Sequence, residues 1–233
     1  MPDKYRAQWV EHIDNYVKHG WWNPGSLDSA CALFAIPKKE PGIARFVINL
    51  KPHNSNTVKM HTPIPEMRYV QDQVADAPFR SAVDFAAAFE QVRVVPQHVD
   101  HTSFTTTTGT HTSRVMQFGD ANVPDMLNQV TSMMLAPCVG RFLTIFFDDV
   151  RLFSGTRCAH LCHIHILLTS LRWNRFYLRR AKSEWFSKLM LSLGSLMTDD
   201  GISVIPRSGT AFSTGLLPSV ARTSFNLRAL STA

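Results

Sequence analysis

The stretch Phe146-Phe147-Asp148-Asp149-Val150 places two adjacent carboxylates between apolar runs that are typical of strands. The first run covers 142–147 and the second resumes at Val150, so the sequence predicts a β-hairpin with the aspartate pair at its tip. Taken alone, the pair fits an ordinary turn, because aspartate is common in turns. The other interpretation is a cation site, because Mg²⁺ takes oxygen ligands and usually binds one or two carboxylates together with substrate phosphates.

A third aspartate favours the cation site. Asp84 lies in the apolar, strand-like run Ser81-Ala82-Val83-Asp84-Phe85, where an unpaired carboxylate is costly to bury. If this strand faces the hairpin, Asp84, Asp148 and Asp149 form a cluster that can hold two metal ions. Such a pair of ions can activate a 3′-hydroxyl group and stabilise a leaving pyrophosphate in an in-line displacement.

Apolar periodicity and turn residues predict an irregular order of helices and strands along the chain. Helices are predicted at 6–20, 63–74, 124–135 and 160–172. Further strands are predicted at 32–36, 45–50, 91–95 and 103–107, and the first two form a hairpin with a basic tip. The apolar face of the last helix is predicted to carry Leu161, Ile164, Leu168 and Leu171. This order indicates the α+β class rather than a doubly wound parallel sheet.

The composition limits the classes of protein to which the chain can belong. Its 233 residues are 45% hydrophobic and 18% charged, which suffices for a buried core. The 24 Lys and Arg residues exceed the 18 Asp and Glu residues, and the net charge of +6 favours a polyanionic partner. Four scattered cysteines predict a reducing, intracellular location, cytoplasmic or nuclear. No run approaches about 18 uninterrupted apolar residues, so no membrane span is predicted.

Short stretches follow one another along the chain in the order of a known set of motifs. The motif Leu-Asp-Leu-x-x-Gly-Tyr-His-Gln-Ile is similar to Val83-Asp84-Phe85-Ala86-Ala87-Ala88-Phe89-Glu90-Gln91-Val92. The motif Met-Pro-Phe-Gly-Leu-x-Asn-Ala-Pro is similar to Met116-Gln117-Phe118-Gly119-Asp120-Ala121-Asn122-Val123-Pro124. The motif Tyr-x-Asp-Asp-x-Leu-x-Phe-Ser is similar to Phe146-Phe147-Asp148-Asp149 with Leu152-Phe153-Ser154. Later motifs are matched by His160-Leu161-x-His163, Leu193-Gly194 and Asp200-Gly201-Ile202.

Together these stretches resemble the reverse transcriptase domain of gypsy-type long-terminal-repeat retrotransposons, which is related to retroviral polymerases. The resemblance implies an α+β right-hand polymerase of palm and fingers, with an antiparallel palm sheet packed on helices and a missing or vestigial thumb. It places the fingers at 1–60 and 93–122 and the palm at 61–92 and 123–205. Residues 206–233 are then a poorly ordered tail or a thumb stump.

The resemblance also implies an activity and its site. The domain would be an RNA-directed DNA polymerase that extends a primer on an RNA or DNA template with deoxynucleoside triphosphates, using two Mg²⁺ ions or Mn²⁺ in their place. Asp84, Asp148 and Asp149 would be the catalytic, metal-binding carboxylates. The implied nucleotide-binding residues are Lys38, Lys39, Arg45, Phe89, Phe118 and Gly119. Among them, Arg45 suits phosphate because its planar fork pairs with two oxygens, and the Phe89 ring would exclude a ribose 2′-hydroxyl.

A basic segment at 172–188 carries most of the net charge. Six basic residues there accompany a single acid, Glu184. A solvated surface explains such a run, but beside a polymerase cleft we favour a track of contacts with nucleic-acid phosphates. The implied nucleic-acid contacts are Arg172, Arg175, Arg179, Arg180 and Lys182, with Leu193 and Gly194 near the primer terminus. The aromatic residues Trp173, Phe176, Tyr177 and Trp185 are expected in the core.

Departures from the family pattern leave alternatives. Arg45 is followed by Asn49-Leu50-Lys51-Pro52-His53-Asn54 where the family has Asp-Tyr-Arg-x-Leu-Asn, and Ala88 replaces a glycine. One alternative is therefore a catalytically inactive, degenerate retroelement relic that only binds nucleic acid. An RNA-templated RNA polymerase is a third hypothesis, although Phe147 and Phe89 stand where those enzymes usually have small residues. Another expected partner is the rest of a retroelement polyprotein.

A cluster of Cys158, His160, Cys162, His163 and His165 suggests zinc at first sight. Structural zinc sites more often combine a close cysteine pair with a second, distant pair, and the sequence has no such second pair. Ordinary helix residues are the favoured interpretation.

Overall fold

The computed structural model describes residues 3–25, 30–37, 42–62, 66–188, 190–192, 195–198 and 201–204. Its α-helices are α1 (Arg6–Lys18), α2 (Lys51–Asn56), α3 (Met67–Ala75), α4 (Val123–Met134) and α5 (Arg157–Trp173). The first six strands are β1 (Trp22–Gly25), β2 (Cys31–Pro37), β3 (Ala44–Ile48), β4 (Phe79–Asp84), β5 (Phe104–Thr106) and β6 (Gly109–Ser113). The others are β7 (Leu143–Phe146), β8 (Asp149–Ser154), β9 (Met190–Ser192), β10 (Ser195–Thr198) and β11 (Gly201–Val204).

The predicted aspartate hairpin is strands β7 and β8, which form an antiparallel sheet with β4 in the order β4-β8-β7. Alternating apolar residues turn one face of this sheet towards helices α4 and α5. Leu127, Leu143, Leu152 and Leu167 are fully buried in the resulting core. Burial of a leucine side chain contributes about 1.5–3 kcal/mol, so this core holds the aspartate hairpin rigidly against the two helices.

Helix α5 begins at an N-cap, Thr156, whose side chain accepts a hydrogen bond from the Ala159 amide at 3.2 Å. The predicted apolar face was partly wrong. The buried positions are His160, Ile164, Leu167 and Leu171, whereas Leu161 and Leu168 are only partly buried. The buried face is rotated relative to the predicted one because it includes His160. This histidine can be buried because two serine hydroxyl groups form hydrogen bonds with both nitrogens of its ring.

A second sheet has five strands in the order β1-β6-β5-β2-β3. The predicted hairpin of β2 and β3 is confirmed, with register from Leu33 opposite Ile48 to Pro37 opposite Ala44, and its tip lies outside the described residues. Helix α1 covers this sheet with the buried residues Trp9 and Ile13, as its spacing predicted.

The strand predicted at 91–95 is not formed. Phe89–Gln91 is a 3₁₀ turn, and only one isolated bridge, between Arg93 and Val115, follows it. Pro96 begins a second 3₁₀ element, Pro96–Thr102, and proline has no amide hydrogen to extend a ladder. The segment therefore leaves the sheet after two more backbone hydrogen bonds, from Met116 to Val92 and from Val94 to Arg114.

A third, antiparallel sheet joins strands β9, β10 and β11. The sheets are antiparallel except for the parallel pair of β2 and β5 in the five-stranded sheet, and together with the packed helices they confirm the α+β class. The predicted tail at 206–233 lies outside the described residues. Within the described ranges the longest helix, α5, has 17 residues, and no helix combines the length and apolar composition needed to cross a bilayer.

Candidate active site

The sheet pairing brings Asp84 and Asp149 together. They are directly opposite residues in the antiparallel register of β4 and β8. Side chains at such positions start about 5 Å apart at their Cβ atoms. Asp148 occupies the exposed turn immediately before β8, and Asp84 and Asp148 line the same cavity. The three predicted carboxylates therefore converge from two distant parts of the chain.

The turn that presents Asp148 contains a strained residue. Phe147 has a φ of 55°, in the left-handed region that residues with a side chain rarely adopt. A two-residue connection between β7 and β8 requires such a backbone. Strain of this kind collects at functional sites, where packing of the surrounding structure maintains it.

Two cations pair with two of the three carboxylates, Asp149 and Asp84. The guanidinium group of Arg151 lies 3.1 Å from Asp149 Oδ2, and this arginine is 7% exposed. Lys182 Nζ lies 3.9 Å from Asp84 Oδ2, between two partly exposed side chains, so this second pair is weak. Burial raises the pKa of the Asp149 carboxyl; Arg151 opposes the rise, while the negative charges of Asp148 and Asp84 add to it.

The carboxylates have the chemistry of a magnesium site but are not gathered into one. Among the residues that the structure describes, no three His, Cys, Asp or Glu side chains lie close enough together to hold a metal ion. Oxygen ligands from neighbouring strands nevertheless suit Mg²⁺, which needs only one or two carboxylates beside substrate phosphates. The residue types and their register therefore fit divalent cations. In this arrangement Arg151 and Lys182 form ion pairs with Asp149 and Asp84 instead.

A cavity of about 660 Å³ opens beside the aspartates. Seven predicted site residues from separate parts of the chain meet in its lining: Arg45, Asp84, Phe89, Phe118, Asp148, Arg179 and Lys182. The rings of Phe89 and Phe118 lie 5.9 Å apart between centroids. Gly119 follows directly, and its carbonyl accepts a hydrogen bond from Asn54 Nδ2 at 2.8 Å. Lys38, Lys39, Leu193 and Gly194 lie outside the described residues.

The basic segment lies along β4, an arrangement that the sequence did not predict. The amide of Ala82 donates to the Glu184 carbonyl at 2.8 Å, and the Arg179 amide donates to the Asp84 carbonyl at 2.8 Å. Its six basic side chains are all exposed: Arg172, Arg175, Arg179, Arg180, Lys182 and Lys188. The segment thus adds an edge to the sheet that carries Asp84 and places positive charge next to it.

The aromatic residues of the basic segment do not all enter the core. Phe176 is buried, as predicted, and Trp185 is partly buried. Trp173 is 85% exposed and Tyr177 is 66% exposed, so the prediction was wrong for these two. Tyr177 is exposed because its backbone, rather than its ring, makes the contacts that fix this part of the segment.

Sequence reasoning missed some residues that shape the site. Gln91 donates from Nε2 to the carbonyls of Ala86 and Tyr177 and accepts from the Tyr177 amide. The family motif has glutamine at the same position, and this match could have identified Gln91 as important. Arg151 was also missed, although its spacing of two from Asp149 along a strand places both on one face.

The cysteines and histidines of α5 do not meet in one cluster. Cys158 and Cys162 are exposed, whereas His160 is fully buried and contacts the hydroxyls of Ser81 and Ser154, each at 2.8 Å. His163 stacks on a phenylalanine ring, Phe142, at 3.9 Å between centroids. The buried histidine is therefore a hydrogen-bonded core residue.

An antiparallel sheet that places Asp84 opposite Asp149, beside a cavity and a basic edge, agrees with the polymerase palm that the motifs predicted. The chain belongs to the reverse transcriptase (RNA-dependent DNA polymerase) family, which it matches over residues 36–205. The resemblance that the motifs indicated is thereby confirmed.

Its relatives include retrotransposon polyproteins of Drosophila melanogaster. The retrovirus-related Pol polyprotein from transposon opus is 23% identical over 216 residues, which cover 91% of this chain and 22% of that protein. The corresponding polyprotein from transposon gypsy is 23% identical over 162 residues, covering 70% of this chain and 16% of that protein. The chain thus spans about a fifth of the length of these relatives.

A solved structure confirms the predicted palm-and-fingers fold. The foamy viral protease-reverse transcriptase in complex with an RNA/DNA hybrid superimposes with a TM-score of 0.79 and 16% sequence identity. The match covers 88% of this chain and 27% of that one. At this identity the likeness concerns the fold.

Proposed function

We propose that this chain is the polymerase domain of a retroelement reverse transcriptase, which adds deoxynucleotides to a primer on an RNA or DNA template. The observation that carries the proposal is the pairing of Asp84 with Asp149 beside Asp148, at the mouth of a cavity that contains Arg45 and Phe89. The rest of a retroelement polyprotein is the proposed covalent partner, because the relatives are longer polyproteins.

The sheets support the proposed division into fingers and palm. All five strands of the larger sheet come from 1–60 and 93–122, the proposed fingers. The strands of the two smaller sheets come from 61–92 and 123–205, the proposed palm. The boundaries therefore fall where the chain passes from one sheet to another.

Asp84, Asp148 and Asp149 are the proposed ligands of two Mg²⁺ ions, which Mn²⁺ can replace. When bound, such ions activate the primer 3′-hydroxyl and stabilise the leaving pyrophosphate. The chain itself supplies these ligands from two paired strands and one strained turn, and binding of the ions would draw Asp149 and Asp84 away from Arg151 and Lys182. Lys182, beside Asp84, adds positive charge where the triphosphate would lie.

The cavity residues have proposed roles in nucleotide binding. Arg45 projects from β3 into the cavity and can pair with two phosphate oxygens at once. The Phe89 ring is the proposed barrier to a ribose 2′-hydroxyl, and Phe118 with Gly119 completes that wall. Lys38 and Lys39 are proposed as further contacts to the triphosphate.

The basic segment is the proposed contact surface for the template–primer duplex. Its exposed arginines can contact phosphates without reading sequence, which suits a polymerase that copies any template. Leu193 and Gly194 are proposed to lie near the primer terminus.

Primer extension on an RNA template with Mg²⁺ tests the proposal. The wild-type chain is expected to incorporate deoxynucleotides, and Asp148→Asn to lose at least about 100-fold in rate, in line with loss of electrostatic stabilisation at a reacting centre. Asp100→Asn removes another exposed carboxylate and serves as the control with unchanged activity. Salt-sensitive binding of nucleic acid without incorporation in the wild-type chain would instead support the inactive relic.

A further inference from the structure

The 3₁₀ turn that carries Phe89 is held on both sides. On one side, Gln91 exchanges hydrogen bonds with the backbone of Tyr177 in the basic segment, at 3.0 Å as donor and 2.6 Å as acceptor. On the other side, Glu90 Oε1 accepts a hydrogen bond from the Tyr16 hydroxyl at 3.1 Å. Phe89 directly precedes these two residues in the same turn, so its backbone cannot shift far unless one of the contacts breaks.

Tyr16 is a rigid donor. Its ring lies 4.5 Å from the ring of Trp22 and 5.1 Å from the ring of Trp21, between centroids. Burial raises the pKa of its hydroxyl, and the negative charge of Glu90 and the hydrogen bond to it raise the pKa further. The hydroxyl therefore keeps its proton and can donate throughout the neutral range.

The contact comes from a helix that the family match does not include. Tyr16 belongs to α1, whereas the match begins at residue 36. Five residues of α1 nevertheless line the same cavity as Asp84 and Phe89: Gln8, Glu11, His12, Asn15 and Tyr16. Glu90 stands where the motif of the reverse transcriptase family has histidine. The carboxylate that accepts the hydrogen bond from Tyr16 is therefore a departure from that motif.

We propose that α1 sets sugar selectivity through Tyr16, which acts as a positioning residue by holding Glu90 and thereby fixing the Phe89 ring in the nucleotide cavity. The inference rests on the proposed function, because it explains how the proposed nucleotide site discriminates deoxyribonucleotides from ribonucleotides. A ring excludes a 2′-hydroxyl by steric contact, so a small displacement suffices to admit a ribonucleotide. Loss of the Tyr16 contact therefore relaxes discrimination more than it slows the addition of deoxynucleotides.

Two measurements on Tyr16→Phe test the inference. This variant keeps the ring in its aromatic cluster and removes only the hydroxyl. Hydrogen exchange of the amides at 86–92 is expected to quicken by about three- to tenfold, as loss of one hydrogen bond predicts. The ratio of deoxynucleotide to ribonucleotide incorporation is expected to fall by a similar factor. Glu90→Leu should behave likewise, whereas Glu90→Gln, which keeps an acceptor, should retain most of the discrimination.

Tyr5→Phe is the matched control, because it removes a tyrosine hydroxyl from the start of the same N-terminal segment and should change neither quantity. Unchanged exchange in Tyr16→Phe would overturn the inference, and so would faster exchange with unchanged discrimination. Failure of the proposed function gives a distinct result, because the wild-type chain then incorporates no nucleotide at all. In that case the assignment of sugar selectivity falls with the proposed function, and exchange at 86–92 tests only whether Tyr16 holds the turn.

Discussion

Asp84 and Asp149 stand opposite each other across strands β4 and β8, although they lie far apart in the sequence. The pairing brings two negative charges together next to a third, Asp148, and the pKa of Asp149 is raised in part by both neighbours. Such repulsion opposes folding unless cations compensate for it. Arg151 and Lys182 do so in the chain alone, and divalent ions would do so more strongly.

The buried Arg151 should stabilise the fold by neutralising Asp149. Arg151→Met leaves the carboxylate facing two others, and we expect the free energy of unfolding to fall by about 1–3 kcal/mol, less than for a fully buried pair because Asp149 is partly exposed. Urea unfolding in the presence of a chelator measures the loss. In an Asp149→Asn background the same substitution should cost less, and an equal cost in both backgrounds would disprove the coupling.

Backbone strain next to the Phe89 turn can be relieved. Ala87 has a φ of 47°, in the left-handed region, whereas Ala88 has an ordinary helical backbone. Ala87→Gly should therefore raise the free energy of unfolding by about 0.5–1 kcal/mol. Ala88→Gly should lower it by a similar amount, because glycine gains nothing there and loses more chain entropy. Denaturation curves of both variants provide the comparison, and a shift of the same sign in both would contradict the strain.

The fully buried His160 should make stability depend on pH. Burial, with a smaller effect from His163, lowers its pKa from 6.5 to about 4. The unfolded chain then binds a proton that the folded chain does not, so stability is fully present above pH 6.5 and falls as the pH decreases towards 4. This pKa difference corresponds to a loss of up to about 3 kcal/mol.

Denaturation between pH 4 and 6.5 in two variants isolates this effect. His160→Asn should be less stable near neutrality, because it disrupts the contacts with Ser81 and Ser154, but its stability should vary much less with pH. The exposed His165, changed to asparagine on the same helix, should keep the wild-type dependence. A dependence that survives in His160→Asn would assign it to another group.

Exposed arginines of the basic segment should contribute to nucleic-acid affinity through phosphate contacts. Arg179→Ala and Arg180→Ala are each expected to reduce the slope of log affinity against log salt by about 0.9 on double-stranded DNA. Fluorescence anisotropy at several salt concentrations measures these slopes. Lys18→Ala, an exposed cation at the end of α1, should leave the slope unchanged, and an equal effect of all three substitutions would indicate a non-specific charge effect.

The local elements were largely predictable because short-range patterns determine them. The spacing of Trp9 and Ile13 predicted α1, and apolar runs on either side of Asp148 and Asp149 predicted the hairpin. The approach of Asp84 to that hairpin was inferred from chemistry, since a shared cation offsets the cost of placing a carboxylate in an apolar strand. Each of these inferences depended either on a pattern of residues close together in the sequence or on a strong chemical constraint.

Contacts made by irregular backbone were not predictable. The basic segment has no alternation of apolar and polar residues, so its pairing with β4 through Ala82 and Glu184 left no pattern in the sequence. The contact between Tyr16 and Glu90 joins two ordinary polar residues from distant elements. His160 was placed off the buried face of α5 because an isolated histidine gives no sign of the two serines that satisfy it.

The most direct test of the account asks whether the three aspartates share bound cations. Fe²⁺ in place of Mg²⁺, with ascorbate and hydrogen peroxide, generates radicals that cut the backbone next to a bound ion, and mass spectrometry locates the cuts. A shared site should give cuts near Asp84 and near Asp148 and Asp149 in the same sample, suppressed by excess Mg²⁺ and lost in Asp148→Asn. Cuts at only one of these places, or cuts that persist in the variant, would contradict a shared metal site.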